Sequence, residues 1–269
     1  MTRLGKRTLI GIIFVPILLF IYYLGGLTLQ IFVSLLTILG VREFVIILKK
    51  KGINIHFIPV LVASLIINWF MYFFNFNNII FLYIGFCILI ISYDIFSNNI
   101  NQASERAAYS MFILIYIPLL LEFIYLLRQL ENGRFLLIFL VILVWITDTG
   151  AYFVGVKCGK HSNIFKSSKK KSVEGFIGGF VTAFIFTYIG AILIYQIWNF
   201  RFSWNDIFAY TVIVGIFGQV GDLMESILKR DFNIKDFSNL LSEHGGILDR
   251  FDSIMISAPL LYCYFTIIR

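Results

Sequence analysis

Charge is scarce in this chain. Of 269 residues, only 14% are Asp, Glu, Lys or Arg, against about 25% in a typical soluble domain. With 59% hydrophobic residues and a mean hydropathy of +0.89, there is too little polar surface to clothe a soluble core of this size. That excludes an ordinary soluble enzyme and a disordered chain. Cysteine is nearly missing as well. Cys87, Cys158 and Cys263 lie far apart with no CxxC spacing, which excludes a disulfide-stapled secreted domain and offers no zinc motif. No long linker, low-complexity tract, soluble domain or internal repeat is visible. What remains is an all-α, polytopic membrane protein.

A spanning helix needs about 20 mostly apolar residues. Nine runs meet that need, near 8–24, 27–48, 57–74, 79–96, 107–127, 135–155, 175–198, 206–228 and 250–268. The runs are long and unbroken rather than alternating, which argues against a β-barrel. The first has a basic lead (Arg3, Lys6, Arg7) but no small-residue cleavage site, so it reads as a span and not a cleaved signal. With the N-terminus inside, 17 Lys and Arg fall on the cytoplasmic side and four (Arg128, Arg134, Arg201, Arg269) outside. That bias sets the orientation, N-inside and C-outside. The net charge of +7 is therefore a topology signal and not a nucleic-acid one. The spans divide into an N-terminal set of about five (1–134) and a C-terminal set of about four (135–269), with cytoplasmic loops near 156–174 and 229–249.

The few charges are unevenly placed. Residues 148–174 and 222–252 hold 19 of the 37 charged residues in 58 positions. Both windows lie on the cytoplasmic side, where nucleotides are. The first half is bland by comparison. Glu43, Asp94 and Glu122 are isolated acids in or near apolar spans; Arg42 adjoins the first, and the other two lie near span ends. An intramembrane acid is a functional candidate by default, but packing or interface anchoring is the expected role of each here.

Asp222, Glu225, Ser226 and Lys229 stand at i, i+3, i+4 and i+7, one face of a helix. Asp222 is about 24 Å along its span from Asp206, at 1.5 Å per residue, near the cytoplasmic edge of the hydrocarbon core. Asp148 occupies a similar depth on the sixth span. Charges there should face a wet cavity inside the bundle. Downstream come Lys229-Arg230, Lys235-Asp236, His244-Gly245-Gly246 and Asp249-Arg250-Phe251-Asp252. Paired glycines let backbone N–H groups approach a phosphate. Asp222 and Asp249 are hard oxygen ligands suited to Mg²⁺, and Lys and Arg neutralise phosphate oxygens. Together these are the parts for phosphoryl or nucleotidyl transfer. Singly, each has a plainer meaning. Lys169-Lys170-Lys171 alone is a topology signal that attracts anionic lipid. Gly245-Gly246 alone is a turn, Asp249-Arg250 an ion pair, and Asp148 or Asp222 a coupling acid of a transporter. Co-occurrence on one side at one depth favours the transfer reading.

These residues also carry a resemblance. Ser226-x-x-Lys229-Arg230, Lys235-Asp236-x-Ser238 and His244-Gly245-Gly246-x-x-Asp249-Arg250-x-Asp252 agree at about a dozen fixed positions over 27 residues with the signature of phosphatidate cytidylyltransferases (CDP-diacylglycerol synthases). Gly218-Gln219-Val220-Gly221-Asp222, Asp148-Thr149-Gly150-Ala151-Tyr152, Gly159-Lys160, Lys170-Lys171-Ser172-Val173-Glu174-Gly175 and Gly178-Gly179 resemble that family too. The chain departs from it at Ser242, where Pro or Gly is usual, and at Ser168-Lys169-Lys170-Lys171-Ser172, where S-P-K-K-T is usual; both loops become less preordered.

The resemblance implies transfer of a cytidylyl group from CTP to phosphatidate, releasing pyrophosphate and giving CDP-diacylglycerol for phospholipid synthesis. It implies Mg²⁺ held by Asp222 and Asp249, with room for a second, monovalent cation. Lys229, Arg230 and Arg250 would clamp phosphates, and His244, Gly245 and Gly246 would shape the phosphate loop. Lys170, Lys171, Ser172 and Glu174 would face the nucleotide, with Lys235 and Asp236 alongside. Ser226 and Asp252 complete the substrate-binding set. Asp148 has three equal possibilities: metal ligand, support for a ligand, or helix–helix hydrogen bond. A homodimer is the family's expectation; the Ile-, Phe-, Asn- and Lys-rich composition points to a bacterial inner or plasma membrane, and the charge bias turns the site to the cytoplasm. Two other readings stay open: a CTP-using transferase acting on an archaeol-type or polyprenyl lipid, and an ion-coupled transporter.

Overall fold

The computed structural model describes residues 3–76, 78–96, 100–162, 164, 167–168, 171–238, 240 and 245–269, and for 3–13 the backbone alone. Among the described residues the regular structure is helical, apart from one isolated antiparallel bridge between Ser162 and Ser172. The helices are α1 (Arg3–Leu24), α2 (Gly26–Lys50), α3 (Phe57–Phe74), α4 (Ile79–Phe96), α5 (Ala103–Leu114), α6 (Leu120–Gln129), α7 (Gly133–Cys158), α8 (Val173–Trp198), α9 (Trp204–Val212), α10 (Gln219–Asp231) and α11 (Leu248–Cys263). Short π-helical segments join α5 to α6 (Ile115–Leu119) and α9 to α10 (Ile213–Gly218), and another extends α11 (Tyr264–Ile268).

Helices are the expected outcome, because apolar surroundings force every backbone polar group to find its partner within the segment. Eight stretches among the described residues are long and apolar enough to cross a membrane, the longest being Trp204–Asp231 at 28 residues. A shorter apolar stretch, Phe14–Leu24, belongs to α1. Of the nine runs expected, the first falls on α1, whose leading side chains lie outside the described residues. The polytopic helical class read from composition is the class that forms.

The chain divides into two compact units: 1–126 with 236–249, and 127–235 with 250–269. In the first unit, Val33, Leu36, Phe44, Leu48, Ile67, Met71, Leu114 and Ile117 are buried. In lipid such packing works through close contact and interhelical hydrogen bonds, since the tails are as apolar as the side chains. Pro118 sits inside the first π segment and has no N–H to donate backward. The Leu114 carbonyl instead accepts from Tyr83 Oη at 2.8 Å. Asp94 accepts both Nε bonds of Arg106, at 3.0 and 3.2 Å, and meets His56 Nε2 at 2.9 Å. Glu122 accepts from Asn68 Nδ2 at 2.7 Å and from Gln30 Nε2 at 3.4 Å, tying α6 to α3 and α2. Both acids do structural work, each with its own donors.

In the second unit, α7 and α8 pack along their length, with Gly150 against Thr182, Val154 against Gly178 and Gly155 against Gly175. α9 opens with a capping box, in which Ser203 Oγ accepts from the Asp206 N–H and the Ser203 N–H donates to Asp206 Oδ2. This pairing satisfies two N–H groups that the first turn would otherwise leave bare. The buried Asp206 also accepts from Tyr264 Oη at 2.8 Å, anchoring the end of the chain.

Candidate active site

The second unit gathers the densest chemistry. Asp222, Glu225 and Lys229 lie on α10 in the helical register expected for one face, and Lys229 Nζ reaches Glu225 Oε2, four residues back, at 2.7 Å. Gly221 lets α11 come close. A Cβ at this position would stand 2.8 Å from the Asp252 carbonyl oxygen, so a side chain there would push the two helices apart. The close approach brings Asp252 to the α10 face. One carboxylate oxygen each from Asp222, Glu225 and Asp252 fall within 4.8 Å of one another. Glu225 is only 1% exposed, and Asp252 sits within hydrogen-bonding reach of it.

Three carboxylates this close repel strongly unless cations stand among or beside them. Two lysines partly supply that charge: Lys229 on Glu225, and Lys171 on Asp222 at 2.6 Å. Asp148, exposed on α7, lies within electrostatic range of Asp252, Asp222 and Lys171. The set is acid-rich, hard-oxygen and half-buried, which is what a small divalent cation binds. Asp222, Glu225 and Asp252 fit Mg²⁺ on donor chemistry and spacing.

The segment before α8 folds onto that helix's first turn. Ser172 is its N-cap and accepts from the Gly175 N–H at 3.1 Å. The Glu174 carboxylate meets His161 Nδ1 at 2.5 Å and accepts from the His161 backbone N–H. Arg230 Nε donates to the Ser167 carbonyl at 3.0 Å, fastening the end of α10 to the same segment. Ser226 is half-buried on α10, while Lys235 and Arg250 are exposed. Lys169 and Lys170 lie outside the described residues.

The glycine loop belongs to the first unit. Gly245 has φ +79°, the left-handed region that favours glycine. Asp249 Oδ2 accepts from the N–H groups of Gly246 at 2.7 Å and Phe237 at 3.0 Å. Glu43, on α2, accepts from Ser238 Oγ at 2.5 Å, from the Ile247 N–H at 2.9 Å and from the Leu248 N–H at 3.2 Å. Here the N–H groups of 246–248 point at two protein carboxylates. Asp236 is exposed in the same unit. His244 and Ser242 lie outside the described residues.

Sequence reasoning therefore put Asp222, Lys229, Lys171, Asp148 and Asp252 among residues that the fold brings together. Asp249 stands instead in the loop network of the first unit. Glu225 was visible on the helical face but was not singled out. Its signal was its spacing from Asp222 and Lys229. Glu43 was read as packing or anchoring, since its partners are backbone N–H groups some 200 positions away and leave no trace in spacing. His161 gave no signal.

Long apolar helices that gather carboxylates and lysines side by side define a helical membrane protein with an acid-rich polar cluster. The comparisons narrow this. A model of the cytidylyltransferase family matches residues 5–268. The phosphatidate cytidylyltransferase of Staphylococcus haemolyticus is 35% identical over 262 residues, covering 95% of this chain and 96% of that protein. Those of Staphylococcus aureus (strain COL), at 34% over 257 residues, and Bacillus subtilis (strain 168), at 30% over 270, are covered to similar extents. The chain belongs to the cytidylyltransferase family and is a nucleotidyltransferase of the membrane.

Proposed function

We propose that this enzyme transfers the cytidylyl group of CTP to phosphatidate, giving CDP-diacylglycerol and pyrophosphate. The observation that carries the reading is the Asp222–Glu225–Asp252 cluster with Lys171 and Lys229 on its carboxylates. It stands in a chain that resembles phosphatidate cytidylyltransferases over nearly its whole length. An oxygen of the phosphatidate monoester attacks the α-phosphorus of CTP. The new P–O bond forms as the bond to the β-phosphate oxygen breaks, and pyrophosphate leaves. No protein nucleophile is needed, because the lipid oxygen is already anionic. Catalysis is then positioning and charge neutralisation.

Asp222, Glu225 and Asp252 would hold Mg²⁺. Bound there, Mg²⁺ supplies positive charge for the phosphate oxygens. Lys171 and Lys229 exchange their carboxylate partners for phosphate oxygens when substrate arrives, and Arg230 and Arg250 add guanidinium donors. The site faces the cytoplasm, where CTP is, at a depth that suits a headgroup at the interface with its tails in lipid. A bacterial inner or plasma membrane and a homodimer accord with the family.

The test uses purified protein with radiolabelled CTP, Mg²⁺ and one lipid acceptor at a time. CDP-diacylglycerol formed from phosphatidate supports the reading. A product formed only from a polyprenyl or archaeol-type acceptor moves the enzyme to another lipid. No nucleotide transfer, together with nucleotide-independent counterflow in proteoliposomes, replaces it with a transporter.

A further inference from the structure

Glu43 is an acid buried to 4% exposure in an apolar helix, with no Lys or Arg bonded to it in the described structure. Its negative charge is met by three donors on one short stretch of chain: Ser238 Oγ and the N–H groups of Ile247 and Leu248. The two N–H groups open α11, so the carboxylate also sits at the positive end of a helix dipole. The loop is shaped to receive it. A Cβ at Gly246 would stand 2.7 Å from Glu43 Oε2 and 2.8 Å from Oε1, so a side chain there would push this carboxylate off its donors. Next to it, Phe44 stacks on Phe237 with ring centroids 5.7 Å apart. Gly40 faces Leu248, where a Cβ would meet Leu248 Cδ2 at 3.1 Å. One face of α2, from residue 40 to 44, is thus a mould for both ends of the 237–248 loop.

We propose that Glu43 is a positioning residue for the transfer reaction: it fixes the Ser238 and Gly245-Gly246 segments, and with them Asp249, in the geometry that substrate meets. This deepens the proposed function and rests on it. Gly246 then serves the loop as the receptor of Glu43. Charge-assisted hydrogen bonds to positioned groups are the strong kind. Their loss from a loop that must be preformed should cost roughly 10- to 100-fold in kcat/KM.

The experiment compares wild type with Glu43→Gln and Glu43→Ala in detergent, reading steady-state kinetics, thermal stability and hydrogen exchange of the peptide spanning 237–252. Glu43→Gln keeps the volume and one acceptor, so it should fold. Its expected signature is a kcat/KM down by at least ten-fold, faster exchange confined to 237–252, and exchange elsewhere as in wild type. Three results would overturn the inference: wild-type kinetics in Glu43→Gln, unchanged protection of 237–252, or a lowered KM, which would make Glu43 a placeholder that competes with substrate. Activity lost only in proportion to the folded fraction, in both variants, would reduce Glu43 to packing and also overturn it. A wild-type protein that makes no CDP-lipid at all would sink the reaction reading instead, while the exchange result would still decide whether Glu43 holds the loop.

Discussion

The two units differ in how they place their acids. In the first, each acid stands alone among its own donors. Asp94 has Arg106 and His56, Glu122 has Asn68 and Gln30, and Glu43 has a serine and two backbone N–H groups. In the second, Asp206 is held in that same way by Ser203 and Tyr264, but Asp222, Glu225 and Asp252 crowd within 4.8 Å, with Lys171 and Lys229 on two of them. A solitary acid with its donors in place is a structural device. Acids in excess of their donors make a binding device, because the surplus charge is relieved when a cation arrives. Burial alone does not separate the cases, since Glu122 and Glu225 are equally hidden.

That contrast can be broken at four points. The largest effect belongs to Asp222→Asn, which removes one carboxylate charge from the crowded set while keeping its size. Turnover should fall on the order of 10³-fold, with an unchanged elution profile in detergent; retained turnover would take Asp222 out of the site. Next comes Arg106→Ala, which strips Asp94 of its guanidinium inside an apolar helix bundle. Breaking a buried pair costs roughly 3 kcal/mol of stability. A lower melting temperature with normal turnover per folded molecule is the expected result, and loss of specific activity in well-folded protein would erase the distinction between the units. Lys229→Met should lower kcat/KM for CTP roughly 10- to 100-fold, as expected for removal of a charged phosphate partner; the readout is CTP saturation kinetics at fixed phosphatidate. The smallest effect belongs to Glu122→Gln. An amide still accepts from Asn68, so the stability change should stay near 0.6 kcal/mol, and a large loss of activity would mark a second functional acid.

Much of this was legible from residue order, for definable reasons. The spans follow from uninterrupted apolar runs, a signal set by bilayer thickness. The face carrying Asp222 and Lys229 follows from helical periodicity, because the π segment Ile213–Gly218 ends just before it and leaves the register of α10 intact. Asp252 and Lys171 came from motif positions, and it is the close approach at Gly221 that gives Asp252 its meaning. Glu43 was illegible, since its partners are main-chain groups and one serine 195 residues away. The pairing of His161 with Glu174 was illegible too, because it depends on how the segment after α7 folds back onto α8. The Ile115–Leu119 π segment was also hidden, although Pro118 marks the place where regular hydrogen bonding must fail.

The most direct test of the crowded-acid site is Mn²⁺ binding followed by electron paramagnetic resonance, with Mn²⁺ standing in for Mg²⁺. Wild type, Asp252→Asn and Glu122→Gln are titrated in detergent without substrate. The account predicts one Mn²⁺ bound per chain in wild type and in Glu122→Gln, with affinity at least ten-fold weaker in Asp252→Asn. Equal binding in all three would contradict it.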